Sequence, residues 1–267
     1  MRYKKYIQNV LFGATAAVVI GSQFVPKANQ TGPVVTAAAA LVTGNVTTDS
    51  AAGTVASAEP TSAAKTALEA LSSLVRPLSH PKALSDAFNA YYAYKSAHPG
   101  EVKKPFLYFV DYGLPSTQKR GYVFDMASLK IVDGPFTVAH GRGSSTSQYG
   151  TPTKFSNASR SGTTSLGLYV TKALYNFTGH MGGSTYSSVG LRLAGVSKGF
   201  NDNAYARGVV AHGAPYVTPT KAGRSQGCPA MEPGRAKTLL PKIANGSMVF
   251  LFAPNDNWMS KDPWVNG

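Results

Sequence analysis

After Lys104 the hydrophobic positions fall into short runs rich in aromatic and β-branched residues, at 106–110, 121–126, 136–139, 166–170, 191–196, 208–211 and 248–252. Glycine, proline, serine and asparagine clusters separate them, a pattern that predicts short strands joined by turns. Strands at this density point to a mainly β domain over 104–267, an antiparallel or mixed sandwich or barrel with few helices. One helix is expected within it near 235–244, interrupted or started late by Pro241. Upstream the period changes to that of helices. Ala67, Leu68, Leu71 and Val75 mark one apolar face, ending before Pro77; Leu84, Phe88, Tyr91 and Tyr92 mark a second, with Pro81 near its start and Pro99-Gly100 as its stop. These two form a helical lead-in over 63–103.

The pattern fades towards the N-terminus. Residues 29–62 are mostly Ala, Thr, Val, Ser and Gly, with Asp49 and Glu59 the only acids and no aromatic residue, so this stretch reads as a linker. Before it, Arg2, Lys4 and Lys5 precede an apolar run at 10–21 that is short for a membrane span. Residues 1–28 therefore read as an export signal, with a retained membrane anchor as the alternative, and the expected location is extracytoplasmic, in the periplasm or cell envelope.

Formal charge is +14, of which +10 remains for residues 31–267, so the basic balance is a property of the main body too. Such a surface favours anionic partners, among them cell-wall polymers and peptide carboxylates, although solubility alone would explain it equally well. Nucleic acid is disfavoured by the export signal and by the lack of a helix-turn-helix, zinc-finger or aromatic RNA-binding signature.

The chain has one cysteine, Cys228, which cannot form an internal disulfide. It lies in Gly223-Arg224-Ser225-Gln226-Gly227-Cys228-Pro229-Ala230, sixteen residues after His212. Val209-Val210-Ala211 reads as a strand delivering His212 at its end, where Gly213 lets the backbone turn. The segment 225–228 reads as a tight loop presenting a thiol. Together they offer a nucleophile and a base: a neutral imidazole takes the thiol proton, or an imidazolium holds a thiolate ready. The N–H groups of Gly227 and Cys228 are the expected oxyanion donors. No Cys-x-x-Cys or His-Glu-x-x-His run occurs, so neither a dithiol nor a zinc protease is signalled, and no metal or cofactor is expected.

His212-Gly213 followed by Ser225-x-Gly227-Cys228 resembles the signature of the L,D-transpeptidase family, cysteine enzymes that cross-link or trim bacterial peptidoglycan. His212-Gly213-Ala214-Pro215-Tyr216, His140-Gly141-Arg142-Gly143-Ser144, 154–157, 165–169, 191–193 and 201–204 resemble one branch, the murein L,D-transpeptidase catalytic domain. The resemblance covers about 104–253. It implies Cys228 as nucleophile, His212 as base, Gly213 as the residue whose carbonyl orients the imidazole, and Ser225 as a pocket-shaping hydroxyl. Many members carry His and Arg where this chain has Gln226 and Ala230, so the cation for the substrate carboxylate is open, with Arg224 the nearest candidate. Tyr216 and His140 are further pocket candidates, His140 reading more readily as a supporting histidine held by backbone. His180 is expected on a loop over the cleft.

The resemblance implies an exported cysteine acyltransferase acting on stem peptides through a Cys228 thioester, with an amine of a second stem or an envelope protein as acceptor. Water as acceptor would make it an L,D-carboxypeptidase. A non-catalytic cell-wall-binding module is the alternative of a different class. A papain-like peptidase is disfavoured because there the cysteine precedes the histidine.

Overall fold

The computed structural model describes residues 61–266, so the predicted signal and most of the predicted linker lie outside the described residues. Two helices come first: α1 (Ser62–Leu71), capped by the Thr61 hydroxyl and followed by a 3-10 turn at Ser72–Leu74, and α2 (Ala83–Ala97). Ten strands follow: β1 (Phe106–Asp111), β2 (Gly121–Asp125), β3 (Lys130–Phe136), β4 (His140–Gly141), β5 (Gly167–Met181), β6 (Ser184–Gly195), β7 (Val210–Gly213), β8 (Arg224–Ser225), β9 (Ala230–Met231) and β10 (Met248–Phe252). Helix α3 (Pro233–Ile243) precedes β10, and the short α4 (Asp256–Met259) follows it. The fold is a mixed, mainly antiparallel β domain with few helices and a short helical segment at its N-terminal side.

Eight strands form one sheet in the order β3-β2-β1-β10-β5-β6-β7-β9, parallel only at β1·β10 and β7·β9; β4 and β8 pair in parallel apart from it. At its centre Leu107–Asp111 and Met248–Phe252 are buried without alternation, because both faces are covered. Helix α2 packs on β1, β10 and β5, and α3 on β7 and β6. Phe88 of α2 meets Phe124 edge-on at 5.4 Å. The turn between the first helices is tied to the sheet by polar groups: Asp111 accepts from the Ser79 N–H (2.7 Å) and hydroxyl (2.6 Å), and the Arg76 N–H donates to Tyr122 Oη (2.9 Å).

Three elements differ from the pattern-based expectation. The runs at 166–170 and 191–196 are the roots of one long hairpin whose outer part alternates half-buried and exposed positions, which no hydrophobic run reveals. Its turn is Gly182-Gly183, both at positive φ, as a two-residue hairpin turn requires. Strand β3 starts at Lys130 and stops at Phe136, where 136–139 was expected; as the sheet's outermost strand it tolerates Pro135, whose missing N–H costs no ladder bond there. Helix α3 begins at Pro233, a first-turn position that needs no N–H, and runs to Ile243 with Pro241 inside it. No helix among the described residues is long and apolar enough to cross a membrane.

Candidate active site

Strand β7 lies between β6 and β9, with His212 opposite Gly190 on one side and Ala230 on the other. The His212 ring is buried and stacks on Phe177 of β5, centroids 4.2 Å apart. Its Nδ1 donates to the Gly213 carbonyl at 3.0 Å; a carbonyl only accepts, so the neutral ring carries its lone pair on Nε2. Burial pulls the His212 pKa down to about 4, and the Gly213 hydrogen bond offsets only part of that. Gly213 has a second reason to lack a side chain: a Cβ there would lie 2.9 Å from Pro233 Cα and 2.9 Å from Ala236 Cβ, at the start of α3.

The cysteine loop is fastened by Ser225. Its Oγ accepts from the Gly227 N–H at 3.0 Å and donates to the Cys228 carbonyl at 2.7 Å. The Gly227 N–H, one of the two expected oxyanion donors, is given to Ser225 Oγ, and the Cys228 N–H makes no backbone hydrogen bond among the described residues. Gly227 sits at φ +124°, and a Cβ there would lie 2.5 Å from the Thr163 carbonyl. Gly141, from the strand pairing with Ser225, is equally confined: its Cβ would meet Gly162 O at 2.3 Å and Gly227 Cα at 2.9 Å. Cys228 itself is half-buried. Burial pushes its thiol up, while the Val210 backbone and the Arg207 charge pull it partly back.

Two clefts open on Cys228. One, of about 330 Å³, is lined by Phe177, His180, Tyr186, His212, Tyr216 and Arg224. The other, of about 510 Å³, is lined by Arg160, Gly162, Arg207, Gly208 and Gln226. The structure therefore brings Cys228, His212, Tyr216, Ser225 and Arg224 to one cleft, with Gly213 and Gly227 behind it. His180 lines the same cleft from the end of β5.

His140 does not join them. It is fully buried and lines neither cleft; its Nδ1 accepts from Arg120 Nη2 at 3.0 Å, and burial with the Arg120 and Arg224 charges holds its pKa near 3. Arg120 is buried as well and also donates to the Val138 carbonyl. Arg224 reaches the carbonyls of Ser145 (3.1 Å) and Thr146 (3.5 Å).

Sequence reasoning missed two residues at the site. Phe177 lay in a stretch with no hydrophobic run, although Gly182-Gly183 between residues of high β propensity was a usable hairpin signal. Arg207 stands five residues before His212 in a turn, and nothing local marks it. No group of three or more His, Cys, Asp or Glu among the described residues is placed to hold a metal.

No curated protein sequence matches the chain. Among solved structures, an L,D-transpeptidase from Stackebrandtia nassauensis is 18% identical, the match covering 64% of this chain and 66% of that one with a TM-score of 0.34. An L,D-transpeptidase from Mycobacterium smegmatis is 15% identical over 56% and 59%, TM-score 0.32. L,D-transpeptidase 3 from Mycobacterium tuberculosis, with a faropenem-derived adduct, is 14% identical over 55% and 60%, TM-score 0.30. The chain spans about 60% to 66% of the length of these three solved structures. Membership rests on the sequence model of the L,D-transpeptidase catalytic domain, which matches residues 77–252, from the turn before α2 through β10 and well over half of the chain. The protein belongs to the L,D-transpeptidase catalytic-domain family.

Proposed function

We propose that this protein is an exported cysteine L,D-transpeptidase of the murein branch, acting on peptidoglycan stem peptides, with Cys228 as nucleophile and His212 as base. One observation carries the assignment: with Nδ1–H tied to the Gly213 carbonyl, Nε2 is the nitrogen of His212 left to act as base, and His212 and Cys228 line the same cleft. Both groups are neutral at rest, because burial raises the thiol and lowers the imidazole. His212 Nε2 takes the thiol proton as the sulfur attacks the carbonyl of the third stem residue, and the Cys228 N–H is the available backbone donor for the oxyanion. Collapse breaks the C–N bond; the departing D-alanine amine takes the proton from His212, leaving a thioester. An acceptor amine then attacks, gives its proton to His212 and releases the sulfur. Water in place of the amine gives L,D-carboxypeptidase activity through the same acyl-enzyme.

The test is purified protein with a disaccharide-tetrapeptide substrate. Wild type is expected to form 3→3 cross-links or release D-alanine and to carry a covalent carbapenem adduct on Cys228 by mass spectrometry. Cys228→Ala, folded by circular dichroism, should lose both. Turnover retained in that variant sinks the assignment, and a wild type that binds cell wall with neither turnover nor adduct returns the reading to a binding module.

A further inference from the structure

Apart from the two clefts at Cys228, a cavity of about 290 Å³ lies where the segment 155–157, the turn at 199–200 and the residues around α4 meet. No charged side chain among the described residues lines it, although the chain carries a formal charge of +14. Half-buried Phe155 and Phe200 and buried Trp258 supply apolar surface, and Asn157, Asn255 and Asn257 supply amides. The same turn carries Tyr205, its ring about half exposed, and ends at Ala206 and Arg207 in the larger cleft that opens on Cys228.

The three amides differ in what they have left to offer. Asn157 is spent on structure: its Nδ2 donates to Asp202 (2.5 Å) and its Oδ1 accepts from the Asn203 N–H (3.1 Å), tying one wall to the turn that carries Phe200. Buried Asn201 fixes that turn in its place, donating to Leu168 O and accepting from the Ser197 N–H, both at 2.9 Å. Asn255 and Asn257 commit only their oxygens, to the Trp258 N–H (3.0 Å) and Lys261 Nζ (2.7 Å), so each amide is held with its NH2 group uncommitted among the described residues. Rigid walls, apolar rings and uncharged donors fit a neutral ligand with a flat apolar face and acceptor groups at its rim. A pyranose bearing an N-acetyl group is such a ligand: its C–H face lies on a phenyl ring and its carbonyl accepts from the amides. An extended peptide fits less well, because the amide oxygens that would accept its N–H groups are already bonded.

Ser156 joins this cavity to the cysteine loop. It lines the cavity, and its carbonyl accepts from Arg207 Nη1 (2.8 Å), whose Nη2 lies 3.8 Å from where a Gly227 Cβ would be. Arg207 gives its remaining Nη bonds to Ser161, Thr163 and Ser165, so it acts as a strut between the two places. We propose that this cavity is a saccharide subsite, holding an N-acetylhexosamine ring of the glycan strand that bears the donor stem. The inference rests on the acyl-transfer reading. In such a strand the lactyl carboxyl is in amide linkage to the stem, so the sugars are neutral, as the uncharged walls require. The three residues between sugar and attacked carbonyl span about 10 Å when extended, and one guanidinium separates Ser156 from the cysteine loop. The subsite thereby selects stems still attached to glycan over free peptides.

Two donors test this, a free tetrapeptide and the same tetrapeptide on its N-acetylated disaccharide. Wild type is expected to prefer the disaccharide form about 10- to 100-fold in kcat/KM, the range for a pair of neutral hydrogen bonds, mostly through KM. Asn257→Ala, at an exposed position, should bring that ratio about fivefold closer to one. Phe200→Leu, which keeps apolar bulk without the ring, should also reduce it. Equal use of both donors by wild type, or a preference that neither variant reduces, overturns the subsite while leaving the acyl-transfer reading intact. A preference for the free peptide that the variants remove identifies a peptide site and overturns it as well. Should wild type turn over neither donor, that reading fails instead, and calorimetry of wild type with chitotetraose and cellotetraose decides the subsite. Binding of the N-acetylated oligomer alone, weakened by Asn257→Ala, supports it; equal binding of the two, or none, overturns it.

Discussion

A histidine beside a cysteine is compatible with an ion pair or a neutral pair, and the surroundings of His212 and Cys228 favour the neutral one. Phe177 covers the ring, no carboxylate among the described residues lies in salt-bridge range of it, and the one backbone carbonyl at Nδ1 orients the ring more than it charges it. The acid limb of acylation should accordingly fall near pH 4, well below the ordinary histidine value of 6.5, and alkylation of Cys228 by iodoacetamide should be slow at neutral pH and rise with base. An acid limb near 6.5 in a pH–rate profile would contradict the neutral pair. The same burial acts on stability. Between about pH 4 and 6.5 the unfolded chain binds a proton at His212 that the folded chain refuses, so this contribution is complete above 6.5 and is lost as pH falls through 4. Buried Asp86, raised to about 6, works in the opposite direction, so the diagnostic quantity is a difference. His212→Gln should flatten the urea-midpoint slope over that window relative to wild type.

At the scale of elements, the site is made by short strands held apart from one another in sequence and pressed together through glycine. Gly141 of β4 lies between the Gly162 carbonyl, the Thr164 N–H and Gly227, all backbone atoms that cannot swing aside. Gly141→Ala is expected to cost about 1–3 kcal/mol of stability, the range for overpacking, measured by denaturant unfolding. It should also slow the proposed acylation of Cys228 by about tenfold or more, since an error of an ångström at a reacting atom is costly. Unchanged kinetics would mean that the Cys228 loop does not depend on this contact. The motif pieces around Cys228, His212 and Gly141 were legible in the sequence because glycine, serine and histidine at fixed offsets are unusual. The long hairpin was not, because Thr171–Gly190 alternates weakly, and only pairing with its partner strand and the packing of Phe177 against His212 give it a role.

At the scale of the whole molecule, the helices ahead of the sheet belong to its core. Leu84, Ala87, Phe88 and Tyr91 of α2 are buried in the same cluster as the strands β1, β2 and β10, and Trp264 near the chain's end packs edge-on against Tyr94 at 4.9 Å. Phe88→Ala should lower the unfolding free energy by about 3–5 kcal/mol, as aromatic core truncations do, in a urea titration. A loss under 1 kcal/mol would mean that α2 is not integral to the fold. The basic surplus, read from composition as an average, has local structure: Arg160, Arg207 and Arg224, from three separate segments, line the two clefts that open on Cys228. Sequence alone determined the β class, the helical lead-in, and the nucleophile and base candidates, since periodicity and short-range motifs are local properties of the chain. Only the tertiary structure decided that His140 is buried against Arg120 outside both clefts and that Arg207 lines a cleft with Cys228. Both depend on which distant segments fold into contact, and no spacing along the chain encodes that.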